Sequence, residues 1–477
     1  MPSPVADVVD PSMQTVSATS ALGQLWIVLG QPADVLSRAT LTGAEPSLPS
    51  SFAVGTLAQS TIAAAALAAA QVDTLRSGRQ QTVSVDMHHA ALEFRSERYF
   101  RVDGQLPPEP WDKIAGLYRC GDGRWVRLHT NFAHHRDGVL KLLGCAYDRA
   151  AVAAALNQWK AEAFEEAAAQ AGMVVTAART FEEWDAHPQG IAVARQPLMT
   201  IERIGDAPPQ PLPAHANGRP LSGVRVLDLT RVIAGPVCGR TLAAHGADVL
   251  LVTAPHLPAV PPLVIDTGRG KRSAQLDLRE AASAEQLRTL LRDADIFVQG
   301  YRPGGLAALQ FGPEQVAALR PGIVYVSLCA YGYDGPWANR RGFDSLVQSA
   351  SGFNWAEAQA AGDAKPRPLP AQALDHGAGY LMAAGAMTAL SRRMIEGGSW
   401  HVRVSLAQTA QWLRSFGRMA NGFDAADPRY EDIGAYLETS PSGFGTLTAL
   451  RHAGQLSETP PHWTLPSVPL GTHPARW

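Results

Sequence analysis

Apolar residues in this chain follow two periods. Val224–Leu229 and Asp248–Thr253 are short runs rich in β-branched side chains, the pattern of strands buried on both faces. Between them, Arg231–Pro236 reads as a tight turn, Val237–His245 has helical spacing, and Gly246 is a natural C-terminal stop. Strand, turn, helix, strand is a βαβ unit, which calls for a parallel sheet covered by helices. The pattern continues with a helix at Ala281–Leu291 and strands at Ile296–Gln299 and Ile323–Leu328. It predicts a doubly wound α/β core. In such sheets ligands bind outside the carboxyl ends of the strands, and the amides opening a helix suit an anion such as phosphate.

Upstream the chain is weakly patterned to about Ser50. An Ala-rich helix is then predicted over Phe52–Leu75, a strand over Thr82–Met87 and a helix over His89–Phe100. Asp122-Gly123 inside Tyr118–Leu128 marks a hairpin. Ala150–Ala171 reads as one amphipathic helix ended by Gly172, and Thr180 with Glu183 has the form of a capping box. Asp206–Pro220 is Pro-rich and reads as a linker. A second Ala-rich helix is predicted from near Asp375 to near Gly397, then a strand at Val402–Leu406 and a helix at Ala407–Met419. From Asp424 onward little periodicity remains. The expected organisation is a region over 1–205, a linker over 206–220, a doubly wound domain over 221–420 and a tail over 421–477.

The two Ala-rich helices belong to a repeat. A shift of 319 positions lays Gly78 on Gly397, Val83 on Val402, Val85 on Val404 and Arg95 on Arg414. In that register Thr56 stands where the second copy has Asp375.

Composition narrows the function classes. The chain has 477 residues, 46% hydrophobic and 18% charged, so two or three globular domains are expected. A net charge of −2 gives no electrostatic footprint for nucleic acid. Cys120, Cys145, Cys238 and Cys329 are scattered, which fits a reducing cytoplasm and argues against a disulfide scaffold or zinc site. The N-terminal MPSPVADVVDPSM lacks a basic signal-peptide region, and the longest apolar run, Ile62–Ala70, is too short to span a bilayer. A cytoplasmic protein without membrane contact is expected, and no metal site. The pairs His88-His89 and His134-His135 read as surface or core histidines, since adjacent helical residues do not share a face.

Five segments in series carry a resemblance: LSGVRVLDLTRVIAGPVCGRTLAAHGADVLLV, GRGKRSAQLDL, ADIFVQGYRPGGLAAL, PGIVYVSLCAYGYDGPW and RGFDSLVQSASGF. In order and spacing they resemble the class III coenzyme A transferases, the CaiB/BaiF type. Formyl-CoA transferase, carnitine-CoA transferases and 2-methylacyl-CoA racemases belong to it. The N-terminal region resembles the second half of that family. Phe52–Phe100 is similar to its post-catalytic helix and strand, and YRCGDGRWVRLHTNF and TFEEWDAHPQGIAVARQPL to its smaller domain and the return to the large one. The resemblance implies a large doubly wound domain with a smaller α+β domain, here with the halves in altered order, and a possible homodimer.

It also implies a site. Asp375 matches the family's catalytic carboxylate, which exchanges CoA through a mixed anhydride and an enzyme thioester. That role needs an ionised group, expected near the ordinary value of about 4 and helped by the amides at the helix start. The bland alternative is that Asp375 is only an N-cap. The CoA cradle would comprise Ile233, Ala234, Arg269, Lys271, Tyr301, Arg302 and Arg341, the basic members pairing with phosphates and Tyr301 stacking on adenine. Relatives often have Gln where Ile233 stands, and their glycine-rich loop has only Pro441–Gly445 as a poor substitute here. The racemases carry a His where this chain has Phe343, which cannot do acid–base work. The implied activity is CoA transfer between an acyl-CoA and a small carboxylic acid, with CoA as substrate and no tightly bound cofactor. The alternatives are racemase-like activity and CoA binding without turnover.

Overall fold

A computed structural model describes residues 15–213 and 218–477. The segment read against a signal peptide and the middle of the Pro-rich linker lie outside the described residues. After an opening helix over Ala18–Val28, the chain builds β1 (Ala39–Thr42), the helix α1 (Val54–Ser77) and β2 (Val83–Asp86), with β1 parallel to β2. A small domain follows, with an antiparallel sheet of β3 (Gly116–Arg119), β4 (Trp125–Leu128) and β5 (Val175–Ala177). The hairpin at Asp122-Gly123 and the Thr180–Glu183 capping box are both present.

The single helix expected over Ala150–Ala171 is two, Arg149–Leu156 and Ala161–Gln170. The hairpin tip is the cause. The amide of Gly121 donates to Trp159 O at 2.9 Å, and Asp122 Oδ2 accepts from the amide of Ala161 at 3.0 Å, capping the second helix. These bonds satisfy groups that a break in a helix would otherwise leave unpaired.

The small domain hands the chain to β6 (Met199–Gly205), an antiparallel edge strand of the main sheet. Beyond the linker come β7 (Arg225–Leu229), α2 (Ala234–Ala244), β8 (Asp248–Thr253), β9 (Lys271–Gln275), α3 (Ala281–Arg292), β10 (Ile296–Gln299), α4 (Pro313–Leu319), β11 (Val324–Cys329), α5 (Ala373–Glu396) and β12 (Ser399–Ser405). The sheet order is β9-β8-β7-β10-β11-β12-β6, parallel except at β6. Both faces are buried, as the near-continuous apolar runs require. Val226, Val249, Val298 and Val326 join a core with α1, α2 and α5, while Leu227, Leu250, Phe297 and Tyr325 join a second core with α3 and α4. The order reverses between β7 and β10, which places the ligand crevice at Thr230 and Gly300.

The repeat is real in three dimensions. Shifted by 319 positions, α1 falls on the bounds of α5, and β2 falls on the last four residues of β12. Their preceding residues, Ala53 and Gln372, share nearly the same backbone angles. Small side chains let these helices approach their neighbours. A Cβ on Gly379 would lie 2.6 Å from the Ala234 carbonyl, so α5 crosses the start of α2 one turn beyond Asp375.

The tail differs from its expectation. Leu437–Ser442 and Gly445–Leu450 form a hairpin to which Arg101–Val102 adds a third strand, and Gln455–Leu456 pairs with β2. Among the described residues no helix is long and apolar enough to cross a membrane.

Candidate active site

At the end of β7 the chain turns sharply through Thr230–Ile233 into α2. Val232 in that turn has a φ of +74°, unusual for a β-branched residue. Its side chain forms part of the wall between two chambers. The first, about 570 Å³, lies over the carboxyl ends of β7, β10 and β11. Arg231, Arg302, Arg340 and Arg341 line it, together with Tyr301 and, from the small domain, Phe132, His134 and His135. Asp375 is the sole carboxylate in this lining. Arg231 stacks over Phe132 at 4.8 Å and donates to Pro258 O, and Arg341 donates to Gly172 O at 2.7 Å. The result is a cationic crevice suited to phosphate.

A second chamber of similar size, about 570 Å³, opens on the other side of Asp375. Its wall is the loop Leu106–Trp111 on one side and Ile233, Val260 and Leu263 on the other. Phe132, Val232, Phe343 and Asp375 are common to both chambers.

Asp375 opens α5 but does not cap it. Asp344 does that: its Oδ2 accepts from the amides of Leu374 at 2.8 Å and Asp375 at 2.9 Å, and Gln348 holds its other oxygen. The amides expected to stabilise an Asp375 carboxylate are therefore spent on Asp344. Burial, then the nearby charges of Asp344 and Glu97, push the Asp375 carboxyl well above its ordinary range. This corrects the expectation of a value near about 4. Burial also raises Asp344, to about 6. Glu97 moves the other way despite burial: His376 Nε2 lies 3.2 Å from its Oε2 and holds it below the usual range.

The copy at α1 keeps the cap and loses the nucleophile. Glu45 Oε1 accepts from the amide of Thr56 at 2.6 Å, as Asp344 does for Asp375. A Cβ on Gly55 would sit 2.0 Å from Ser47 Oγ, so this helix mouth is filled by the protein itself.

Ala234, Tyr301, Arg302, Arg341 and Asp375 come together around the first chamber, and Ile233 lines the second. Lys271 and Arg269 do not join them. Lys271 is buried and donates to Asp228 Oδ2 and Pro236 O, both at 2.8 Å. Arg269, also buried, donates to Leu450 O at 2.7 Å and packs over Trp463 under the C-terminal segment. Their charges are engaged by the protein, which corrects their reading as phosphate ligands. Pro441–Gly445 is the turn region of the tail hairpin and lines neither chamber.

Reading the residues alone missed Asp344, Glu97, Trp111 and Arg231. It also missed His134 and His135, read only as surface or core histidines but found lining the first chamber. Burial pushes His135 down to about 3.

With this geometry in view, comparison with known proteins gives the family. The model of CoA-transferase family III matches residues 29–210 and 221–436. The chain belongs to CoA-transferase family III. An acyl-CoA transferase of Gibberella moniliformis is 29% identical over 368 residues, covering 68% of this chain and 64% of its own length. A succinate–glutarate CoA-transferase of Agrobacterium fabrum is 32% identical over 205 residues, covering 39% and 51%. The crystal structure of Rv3272 from Mycobacterium tuberculosis is 31% identical with a TM-score of 0.39, covering 42% of this chain and 58% of that one. The chain spans just under two thirds of the fungal relative's length and about half of the Agrobacterium enzyme's.

Proposed function

We propose that this chain transfers coenzyme A from an acyl thioester to a carboxylic acid through covalent intermediates on Asp375. An ionised Asp375 oxygen attacks the thioester carbon, the C–S bond breaks, and the CoA thiolate leaves an acyl-aspartyl anhydride. The thiolate attacks the Asp375 carbonyl carbon and releases the donor acid as carboxylate, giving an aspartyl thioester. The acceptor carboxylate attacks that thioester, and the thiolate returns to the acceptor's carbonyl, restoring Asp375. No net proton is consumed, so the enzyme's task is to hold the partners and shelter the intermediates from water.

One observation carries this reading. Asp375 sits where two chambers meet, one of them lined by four arginines, and Asp344 relieves it of capping duty. The Arg231, Arg302, Arg340 and Arg341 side supports binding of the nucleotide phosphates, with Tyr301 beside it. Free cysteines throughout support a reducing, cytoplasmic setting.

A racemase would need an acid–base group where this chain has Phe343, and the ring stacked on Phe343 at 3.9 Å is His129. Burial pushes this imidazole down to about 3, which leaves it no acid form at neutral pH. The transfer reading is tested by incubating the protein with acyl-CoA and quenching with hydroxylamine or borohydride. A mass change is expected on the peptide holding Asp375 and is absent in Asp375→Asn. Tight CoA binding without any adduct would favour a binding protein, and α-proton exchange without transfer would favour a racemase.

A further inference from the structure

The two chambers meet at Asp375, so a thioester carbonyl placed there has its sulfur on one side and its acyl group on the other. The four arginines line only one chamber. With the phosphates on that side, the acyl group is directed into the other chamber. Building on the transfer reading above, we infer that the chamber walled by Leu106–Trp111 seats the acyl group and selects apolar monocarboxylic acids of medium chain or aromatic size over dicarboxylic acids.

Volume is the first support. About 570 Å³ falls within the range of roughly 300–1,000 Å³ that encloses drug-sized ligands, far more than a formyl or acetyl group fills. The walls are the second. Leu106, Pro107, Trp111, Val260 and Leu263 give its lining an apolar part, which rewards apolar burial.

Charge is the third. A second carboxylate needs an unopposed cation, and this chamber lacks one among the described residues. Arg98 is its one cationic side chain, and Arg98 Nε lies 3.8 Å from Glu97 Oε1. Glu97 and Glu109, the other acidic residues of this lining besides Asp375, repel an anion. His129 lines the chamber as a neutral ring, and Asn131 and Gln372 are uncharged.

The test is isotope exchange between each acyl-CoA and its own ¹³C-labelled free acid, which needs no knowledge of the natural acceptor. Acetyl-, butyryl-, hexanoyl-, phenylacetyl- and succinyl-CoA are compared. The expected exchange kcat/KM rises about fourfold per added methylene from acetyl to hexanoyl. Succinyl-CoA is expected to fall at least tenfold below butyryl-CoA. Leu263→Trp, which fills the chamber, should flatten the series, and Trp111→Ala should reduce its slope. A flat wild-type series, or a preference for succinyl-CoA, overturns the inference. Affinity measured on Asp375→Asn protein reads the chamber without turnover. Hexanoyl-CoA binding more tightly than CoA or succinyl-CoA supports the acyl seat even where exchange is nil, a result that would sink only the transfer reading. Equal affinities overturn the acyl seat.

Discussion

Asp344 and Asp375 are joined side chain to backbone: the Asp344 carboxylate accepts from the Asp375 amide at 2.9 Å. Asp344 thereby fixes where the Asp375 side chain starts while leaving its oxygens free. Asp344→Ala removes the acceptor and leaves two buried amides unpaired, a loss of about 1–3 kcal/mol. Thermal unfolding should show a lowered Tm, and kcat should fall with it. Asp344→Asn keeps an acceptor oxygen, so it should recover most of the stability. An unchanged Tm in Asp344→Ala would refute the capping role.

Glu97 acts on Asp375 from the N-terminal half of the chain. Both line the same chamber, and the negative charge of Glu97 helps to raise the Asp375 carboxyl. Attack requires the ionised form, so activity should climb as pH rises through the Asp375 transition. Glu97→Gln removes one opposing charge while keeping the side chain's shape. The acid limb of the kcat/KM profile should move to lower pH. A limb that stays in place, or moves upward, would show that Glu97 does not influence the nucleophile.

The same shift has a signature in stability. A folded-state pKa above the unfolded value means that folding is favoured while Asp375 is protonated. That contribution is lost as pH rises from about 4, the ordinary Asp value, through the raised folded value. Asp375→Asn removes the penalty. Its Tm should match wild type in acid and exceed it toward neutral pH. A Tm difference independent of pH would contradict the burial argument.

Much of the α/β core was legible because Val, Ile and Leu in β7, β8, β10 and β11 form runs that only a doubly covered sheet accommodates. The repeat was legible too, since Ala and Gly spacing survives in both α1 and α5. Lys271 and Arg269 were misread because a basic side chain in sequence does not disclose which way its strand or turn points it. Lys271 points beneath α2 to Asp228. The tail hairpin was missed for another reason. LETSPS carries no apolar alternation, and its sheet is completed by Arg101–Val102 from the far end of the chain. Asp344 stood in plain view in the RGFD segment, but its role depends on amides 30 and 31 residues away.

Those misread cations give a paired prediction. Lys271→Met leaves Asp228 buried without its partner, a loss of about 3–5 kcal/mol, so it should act on stability. Arg302→Ala should act on CoA affinity instead. Arg302 is exposed at the mouth of the first chamber, and loss of one charge-assisted hydrogen bond at the lower end of about 1.5–3 kcal/mol corresponds to a KM increase on the order of tenfold. Salt should narrow the difference between Arg302→Ala and wild type, because screening weakens exposed charges. Equal effects of the two substitutions on KM at unchanged Tm would restore Lys271 to the binding site.

Val232 shows where conformation is held for the sake of the site. A β-branched residue at φ +74° costs about 1–2 kcal/mol, and glycine relieves that cost while giving back about 0.5–1 kcal/mol in chain entropy. Val232 is also partly buried against the main core, so the relief is offset by lost packing and Val232→Gly should leave Tm close to wild type. The Val232 side chain lines both chambers, so its removal widens the passage between them beside Asp375. Exchange kcat/KM should fall several-fold, with more hydrolysis of acyl-CoA as water reaches the intermediates. Val232→Ala keeps the strained backbone without the branched side chain, so it should lose activity and gain no stability. A marked fall in Tm for Val232→Gly would mean that the packing of Val232 outweighs the strain of the turn.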